Sequence, residues 1–139
     1  MGANMAFTYG FGILLADQWS KRAIQLHGAN GDRGWGTIVR FRLTLHREKA
    51  FELTGTRTAF VIAWILAVIC GVFLNRAGAW FQGDQSLAGL GLALGGAASN
   101  LFDILRYRSV INYIDLGWWP VFNLADVAIL AGLALALLG

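Results

Sequence analysis

The sequence predicts an all-α membrane protein, a four-transmembrane-helix bundle with a small extramembrane β-sheet insert between helices 1 and 2. Three observations carry this expectation. The chain has 139 residues, of which 57% are hydrophobic and only 14% charged, where a soluble domain carries about a quarter charged residues. With so few charges it cannot cover its surface with polar groups, so lipid has to serve as part of its solvent. Four apolar stretches, at about 5–21, 58–75, 86–105 and 119–138, approach the roughly 20 residues that a spanning helix needs. The longest polar stretch, about 22–57, contains a period-two alternation. One membrane domain over 1–139 accounts for the whole chain.

The first span runs from about Met5 and ends in Asp17-Gln18-Trp19-Ser20-Lys21-Arg22. No basic residue precedes it and no small-x-small cleavage site follows, so it is read as a span and not a signal peptide. In the insert, Val39, Phe41, Leu43 and Leu45 alternate with Arg40, Arg42, Thr44 and His46, the pattern of a half-buried strand. Glycines 28, 31, 34 and 36 punctuate the approach to it. The second span stops at Asn75-Arg76, with Trp80 as an interfacial anchor. The third is rich in small residues, and Gly91 and Gly95, extended by Ala88 and Ala98, form a face suited to close helix contact. The fourth is expected to begin near Trp119-Pro120, since proline is tolerated in a first helical turn.

The composition also excludes functions. A single cysteine, Cys70, cannot form an internal disulfide and suits inert packing in its apolar run. A net charge of +3 on a lipid-embedded chain is a poor basis for nucleic-acid binding. No cofactor motif and no metal-specific spacing is evident.

Alternating spans bring the end of span one to the same face as the end of span three and the start of span four. Asp17, Asn100, Asp103, Asn112, Asp115, Asn123 and Asp126 therefore gather on one side of the membrane. Asn100 and Asp103, like Asn123 and Asp126, are three apart and share a helix face. Asp126, seven residues past Trp119, is expected about 10 Å along the last helix, where a carboxylate is costly unless it faces protein or water. The plainer role for such groups is capping of helix ends, expected more for Asp115 and Asp17 than for the Asn123–Asp126 pair.

Four segments carry a family resemblance. Asp17-Gln18-Trp19-Ser20-Lys21 resembles an Asp-Gln-x-Ser/Thr-Lys box, and Gly95 through Asp103 resembles a glycine-rich approach to Asn-x-x-Asp-Arg. Val110-Ile111-Asn112-Tyr113-Ile114-Asp115 is similar to Val-Val-Asp-Phe, and Phe122-Asn123-Leu124-Ala125-Asp126 matches Phe-Asn-x-Ala-Asp. These are motifs of the signal peptidase II (prolipoprotein signal peptidase) family, and the order and four-span layout agree over nearly the whole chain. The resemblance implies an aspartic endopeptidase that cleaves signal peptides from diacylglyceryl-modified prolipoproteins. Two close carboxylates that cannot both ionise share a proton there; one activates water while the other polarises the scissile carbonyl. Asp126 fills one dyad position. The other falls on Asn112. By the same resemblance Asp17, Lys21, Asn100, Asp103, Asn123 and Asp115 are supporting or substrate-binding residues.

A carboxamide cannot take a proton from water near neutral pH, and further departures accompany it. Ile104 replaces the motif arginine, Arg108-Ser109 displaces a glycine, and Glu48-Lys49-Ala50-Phe51 is what remains of a family loop. The expectation is a divergent member, catalytically impaired or inactive, acting as a membrane binding or assembly subunit. The alternative is an active aspartic endopeptidase, with Asp115 or Asp103 as a surrogate partner for Asp126. A second alternative is an ion- or proton-binding protein using Asp17, Asp103 and Asp126, since hard cations favour oxygen ligands. Expected partners are membrane lipid and a prolipoprotein signal peptide or another transmembrane segment, in a bacterial-type inner membrane. The positive-inside tendency places the basic insert in the cytoplasm; the family topology places it outside, and that orientation is the one expected.

Overall fold

The computed structural model describes residues 2–27, 33–35, 39–44, 54–78 and 83–138, with side chains described for 4–26, 62–78 and 83–138. The elements are α1 (Gly2–His27), β1 (Arg33–Trp35), β2 (Val39–Thr44), α2 (Thr54–Arg76), α3 (Asp84–Tyr107), β3 (Asn112–Asp115) and α4 (Leu124–Leu138). The described residues are thus mostly helical, with four helices.

α3 lies at the centre because its small residues let two neighbours approach its backbone. A Cβ on Gly91 would stand 2.2 Å from the Ala6 carbonyl oxygen, and one on Gly95 would stand 2.2 Å from that of Gly10. On the opposite side, Gly89 meets Gly132 and Gly96 meets Ala125 of α4, each within 2.6 Å of an imagined Cβ. The expected Gly91–Gly95 face is therefore the α1 contact, and a second small-residue face serves α4. α2 joins by its Trp64 indole, which donates to the Leu94 carbonyl at 3.2 Å.

The distribution of side chains inverts the usual soluble pattern, in which large apolar groups are inside and charges outside. The largest fully buried side chains are Lys21, Ile111, Asn123, Asp17, Asp103 and Ser99. Phe7, Ile69, Phe73, Leu130 and Leu138 are all more than half exposed. Among the described residues α3 is the one helix long and apolar enough to cross a membrane; Ile62–Arg76 and Leu124–Leu138 are shorter apolar helices.

Three features differ from the sequence-based expectation. The insert is narrower than 22–57, because α1 continues to His27 and α2 starts at Thr54. The sheet is not confined to it: the antiparallel order β1-β2-β3 recruits Asn112–Asp115 from the α3–α4 connection, pairing Arg40 with Asp115 and Thr44 with Asn112. That strand is available because Asp103 holds the Ile111 amide (3.1 Å), and because the Phe122 carbonyl accepts from the amides of Tyr113 and Ile114. The fourth helix begins at Leu124 and not near Trp119, so Pro120 precedes it: Phe122 is tied to Ile114 in an extended bridge. The alternating side-chain faces of 39–46, the 48–51 segment and Trp80 lie outside the residues whose side chains are described.

α3 ends at Arg108, whose φ of 59° lies in the left-handed region. This is where the family resemblance places a displaced glycine, and a left-handed residue with a Cβ costs roughly 1–2 kcal/mol. Arg108→Gly relieves that cost but enlarges the entropy lost on folding. The net expected result is a gain of about 0.5–1 kcal/mol, measured as a raised thermal midpoint in detergent; a lowered midpoint would contradict the strained cap.

Candidate active site

The first helix supplies the base of the site. Asp17 and Lys21, one turn apart on α1, form an ion pair at 2.5 Å, and Lys21 makes a second with Asp103 of α3 at 2.6 Å. All three are at most 1% exposed. Charges so deeply buried are tolerated only when paired and hydrogen-bonded, and every one is. Asp17 accepts from the Ser99 hydroxyl (2.7 Å) and from the Ala125 amide (2.9 Å), one of the free N–H groups at the start of α4. Asp103 accepts from Gln18 (2.9 Å) and from the Ile111 amide (3.1 Å). Gln18 also donates to the Ser99 hydroxyl at 2.8 Å. Trp19, between them in sequence, points away and is 74% exposed.

The fourth helix supplies Asp126, and local capping explains its position. Asn123 is the N-cap of α4: its side-chain oxygen accepts from the Asp126 amide at 2.9 Å, and Asp126 reaches back to accept from the Asn123 amide at 3.1 Å. This reciprocal arrangement is a capping box. Asp126 therefore stands in the first turn of α4, not two turns deep; Asn123 and Asp126 cap this helix together with Asp17, which takes the Ala125 amide, whereas Asp115 caps no helix. The positive end of the helix dipole favours a carboxylate there.

A layer of carboxamides links this carboxylate to the ionic base. Asn100 accepts from Lys21 (3.1 Å) and from Asn123 (3.0 Å), and donates to the other Asp126 oxygen at 2.8 Å. Asn123 also donates to the Asn112 side-chain oxygen at 2.9 Å and to the Ile111 carbonyl at 3.2 Å. Asn112, at the start of β3, thus joins the group that holds Asp126. Each Asp126 oxygen accepts one bond, while a carboxylate offers about four acceptor positions, so it can still engage water. The half-buried Asp126 lies on the wall of an otherwise apolar cavity of about 480 Å³, between Trp118, Trp119, Phe122 and Leu130.

Seven of the eight expected residues, Asp17, Lys21, Asn100, Asp103, Asn112, Asn123 and Asp126, are thus joined in one network. Asp115 is not. It accepts from the Gly117 amide at 2.8 Å, closing the turn after β3. Asp103 is committed to Lys21, Gln18 and the Ile111 amide just before β3, so neither proposed surrogate is hydrogen-bonded to Asp126. The ion-site alternative is opposed by the same geometry, since the Lys21 ammonium already stands against Asp17 and Asp103 as their shared cation. Among the described residues, no group of three or more His, Cys, Asp or Glu side chains is placed to hold a metal.

Other participants were not singled out from the sequence. Ser99 and Gln18 complete the Asp17–Asp103 network, and the Tyr113 hydroxyl lies 2.7 Å from that of Ser20. Burial pushes the Tyr113 hydroxyl above its usual range, the Ser20 bond opposes this, and the charges of Asp17 and Asp126 add to the rise. A hydroxyl beside Ser20 could have been suspected from the tyrosine at the motif's phenylalanine position. Ser99 carried no such signal amid Gly95-Gly96-Ala97-Ala98. Ile104, at the motif's arginine position, is a buried apolar side chain, 3% exposed.

The family model described as signal peptidase (SPase) II matches residues 10–139. The chain belongs to the signal peptidase II family. A lipoprotein signal peptidase of Pelotomaculum thermopropionicum is 37% identical over 122 residues, spanning 86% of this chain and 80% of that protein. One from Halothermothrix orenii is 50% identical over 101 residues, covering 70% and 68%; one from Syntrophomonas wolfei is 44% identical over 90, covering 63% and 58%. A solved bacterial membrane enzyme shares the fold with a TM-score of 0.81 at 20% identity, over 97% of this chain and 91% of that one. Nothing in these relatives supports an inactive binding subunit. All three bear the peptidase name, which favours the active alternative.

Proposed function

We propose that the chain is a membrane-embedded endopeptidase that removes signal peptides from lipid-modified prolipoproteins, slowed by its Asn112. The observation that carries the reading is Asp126, a half-buried carboxylate with spare acceptor capacity, held by Asn100 and Asn123 on the wall of an apolar cavity. In this reading Asp126 takes a proton from the attacking water and returns it to the leaving nitrogen. Asn112 accepts from Asn123 through its oxygen, which leaves its NH₂ end to donate to the scissile carbonyl. A carboxamide polarises that carbonyl but cannot hand it a proton, so the tetrahedral intermediate is less well stabilised than by a second carboxylic acid. Asp17, Lys21, Asn100, Asp103 and Asn123 act as positioning residues; Asp115 shapes the turn that borders the cavity.

The same reading has all four helices crossing the membrane, with the exposed apolar side chains facing lipid and the polar network near one face. The inserted strands then lie outside the cytoplasm, where exported prolipoproteins are reached. The test is maturation of a lipid-modified prolipoprotein in cells depleted of their own lipoprotein signal peptidase. The chain should restore slow maturation and Asp126→Asn should abolish it; equal maturation with both would remove Asp126 from the chemistry.

A further inference from the structure

A cavity of about 620 Å³ opens between the ends of α1 and α3 and shares no lining residue with the one beside Asp126. Its chemistry is divided along its length. Leu14, Leu15 and Phe102 form an apolar wall, and Arg22 and Arg106 stand at the rim. Leu14 and Arg22 are eight residues apart on one helix, about 12 Å at 1.5 Å per residue. Both arginines are exposed, as are Leu15 (51%), Phe102 (44%) and the neighbouring Trp19 (74%). Lys21 also lines the cavity, but its charge is neutralised by Asp17 and Asp103. Among the described residues neither guanidinium of the groove has a carboxylate partner, and Arg106 lies over the Tyr107 ring at 5.5 Å. Arg106 in the last turn of α3 is also favoured by the helix dipole, which does not account for Arg22 on a different helix facing the same groove.

We propose that this groove binds an anionic phospholipid, its phosphate held by Arg22 and Arg106 and an acyl chain lying along Leu14, Leu15 and Phe102. Guanidinium forks match phosphate geometry, apolar contact a turn or two deeper suits the acyl boundary, and Trp19 sits at the headgroup level typical of interfacial tryptophans. The inference rests on the membrane reading above. It also gives the basic residues on this face a lipid-binding role, so that they need not direct the insert into the cytoplasm.

The test uses the full chain in nanodiscs of phosphatidylcholine, with phosphatidylglycerol titrated in and retained lipid read by native mass spectrometry. The unaltered chain should bind phosphatidylglycerol about 30-fold more tightly than the double variant Arg22→Gln/Arg106→Gln, the usual effect of two cations at an anionic lipid surface. Phosphatidylcholine should bind both alike, and inorganic phosphate should not displace the lipid. Equal phosphatidylglycerol binding by both proteins, or displacement by phosphate alone, would overturn the inference while leaving the membrane reading intact. Failure of both proteins to enter phosphatidylcholine nanodiscs would overturn the membrane reading and this inference with it.

Discussion

Asn112→Asp is expected to raise the rate of prolipoprotein cleavage by about 10²–10⁴-fold, the usual worth of a general acid or base. The substitution is nearly isosteric. Asn123 already donates its side-chain NH₂ to the Asn112 oxygen at 2.9 Å, and that bond survives with a carboxylate as acceptor. The change therefore adds a proton-transferring group without dismantling the layer that holds Asp126. Two nearby carboxylates would then share one proton, and the rate should fall away on both sides of an optimum pH. The measurement is signal-peptide release from a diacylglyceryl-modified substrate by both proteins across pH. An unchanged rate would mean that the departures at Ile104 and in the 48–51 segment, and not Asn112, limit the reaction.

Lys21→Met is expected to destabilise the protein by about 3–5 kcal/mol, the cost of breaking a buried ion pair from one side. Lys21 is the shared cation of two carboxylates that are both 0% exposed. Without it Asp17 and Asp103 face each other's network with no compensating charge, while still holding the Ala125 and Ile111 amides that fix α4 and β3. Thermal unfolding in detergent should show the loss. The triple variant Lys21→Met/Asp17→Asn/Asp103→Asn should recover part of it, because replacing a whole buried ionic group is often close to neutral. A single variant as stable as the parent would mean that water or lipid headgroups reach these carboxylates.

The helices and the gathering of polar residues were legible because they depend on local signals. Apolar run lengths mark the helices, and Gly91 and Gly95 mark the close contact with α1. Alternation of direction along successive helices is enough to bring Asp17, Asn100, Asp103, Asn112, Asn123 and Asp126 together. What was misjudged depends on tertiary partners. The start of α4 was placed too early because Pro120 is compatible with a first turn; only the pairing of Phe122 with Ile114 keeps the chain extended until Asn123 caps the helix. Asp115 was grouped with the site because it shares a membrane face, yet its bond to Gly117 is a local turn. The third strand was invisible because Asn112–Asp115 is only four residues long and is held by Asp103 and Phe122 from outside the segment. Ser99 gave no signal, since one hydroxyl among small residues gains meaning only when Asp17 and Gln18 meet it.

In the proposed reaction Asp126 carries the chemistry with Asn112 as a weaker partner. This is tested most directly by single-turnover release of the signal peptide, with the reconstituted protein in excess over a lipid-modified prolipoprotein and binding followed in the same samples. Slow release is expected from the unaltered chain, faster release from Asn112→Asp and none from Asp126→Asn, with substrate bound in all three. Bound substrate that neither the unaltered chain nor Asn112→Asp ever cleaves would contradict this reaction and leave binding alone as the function.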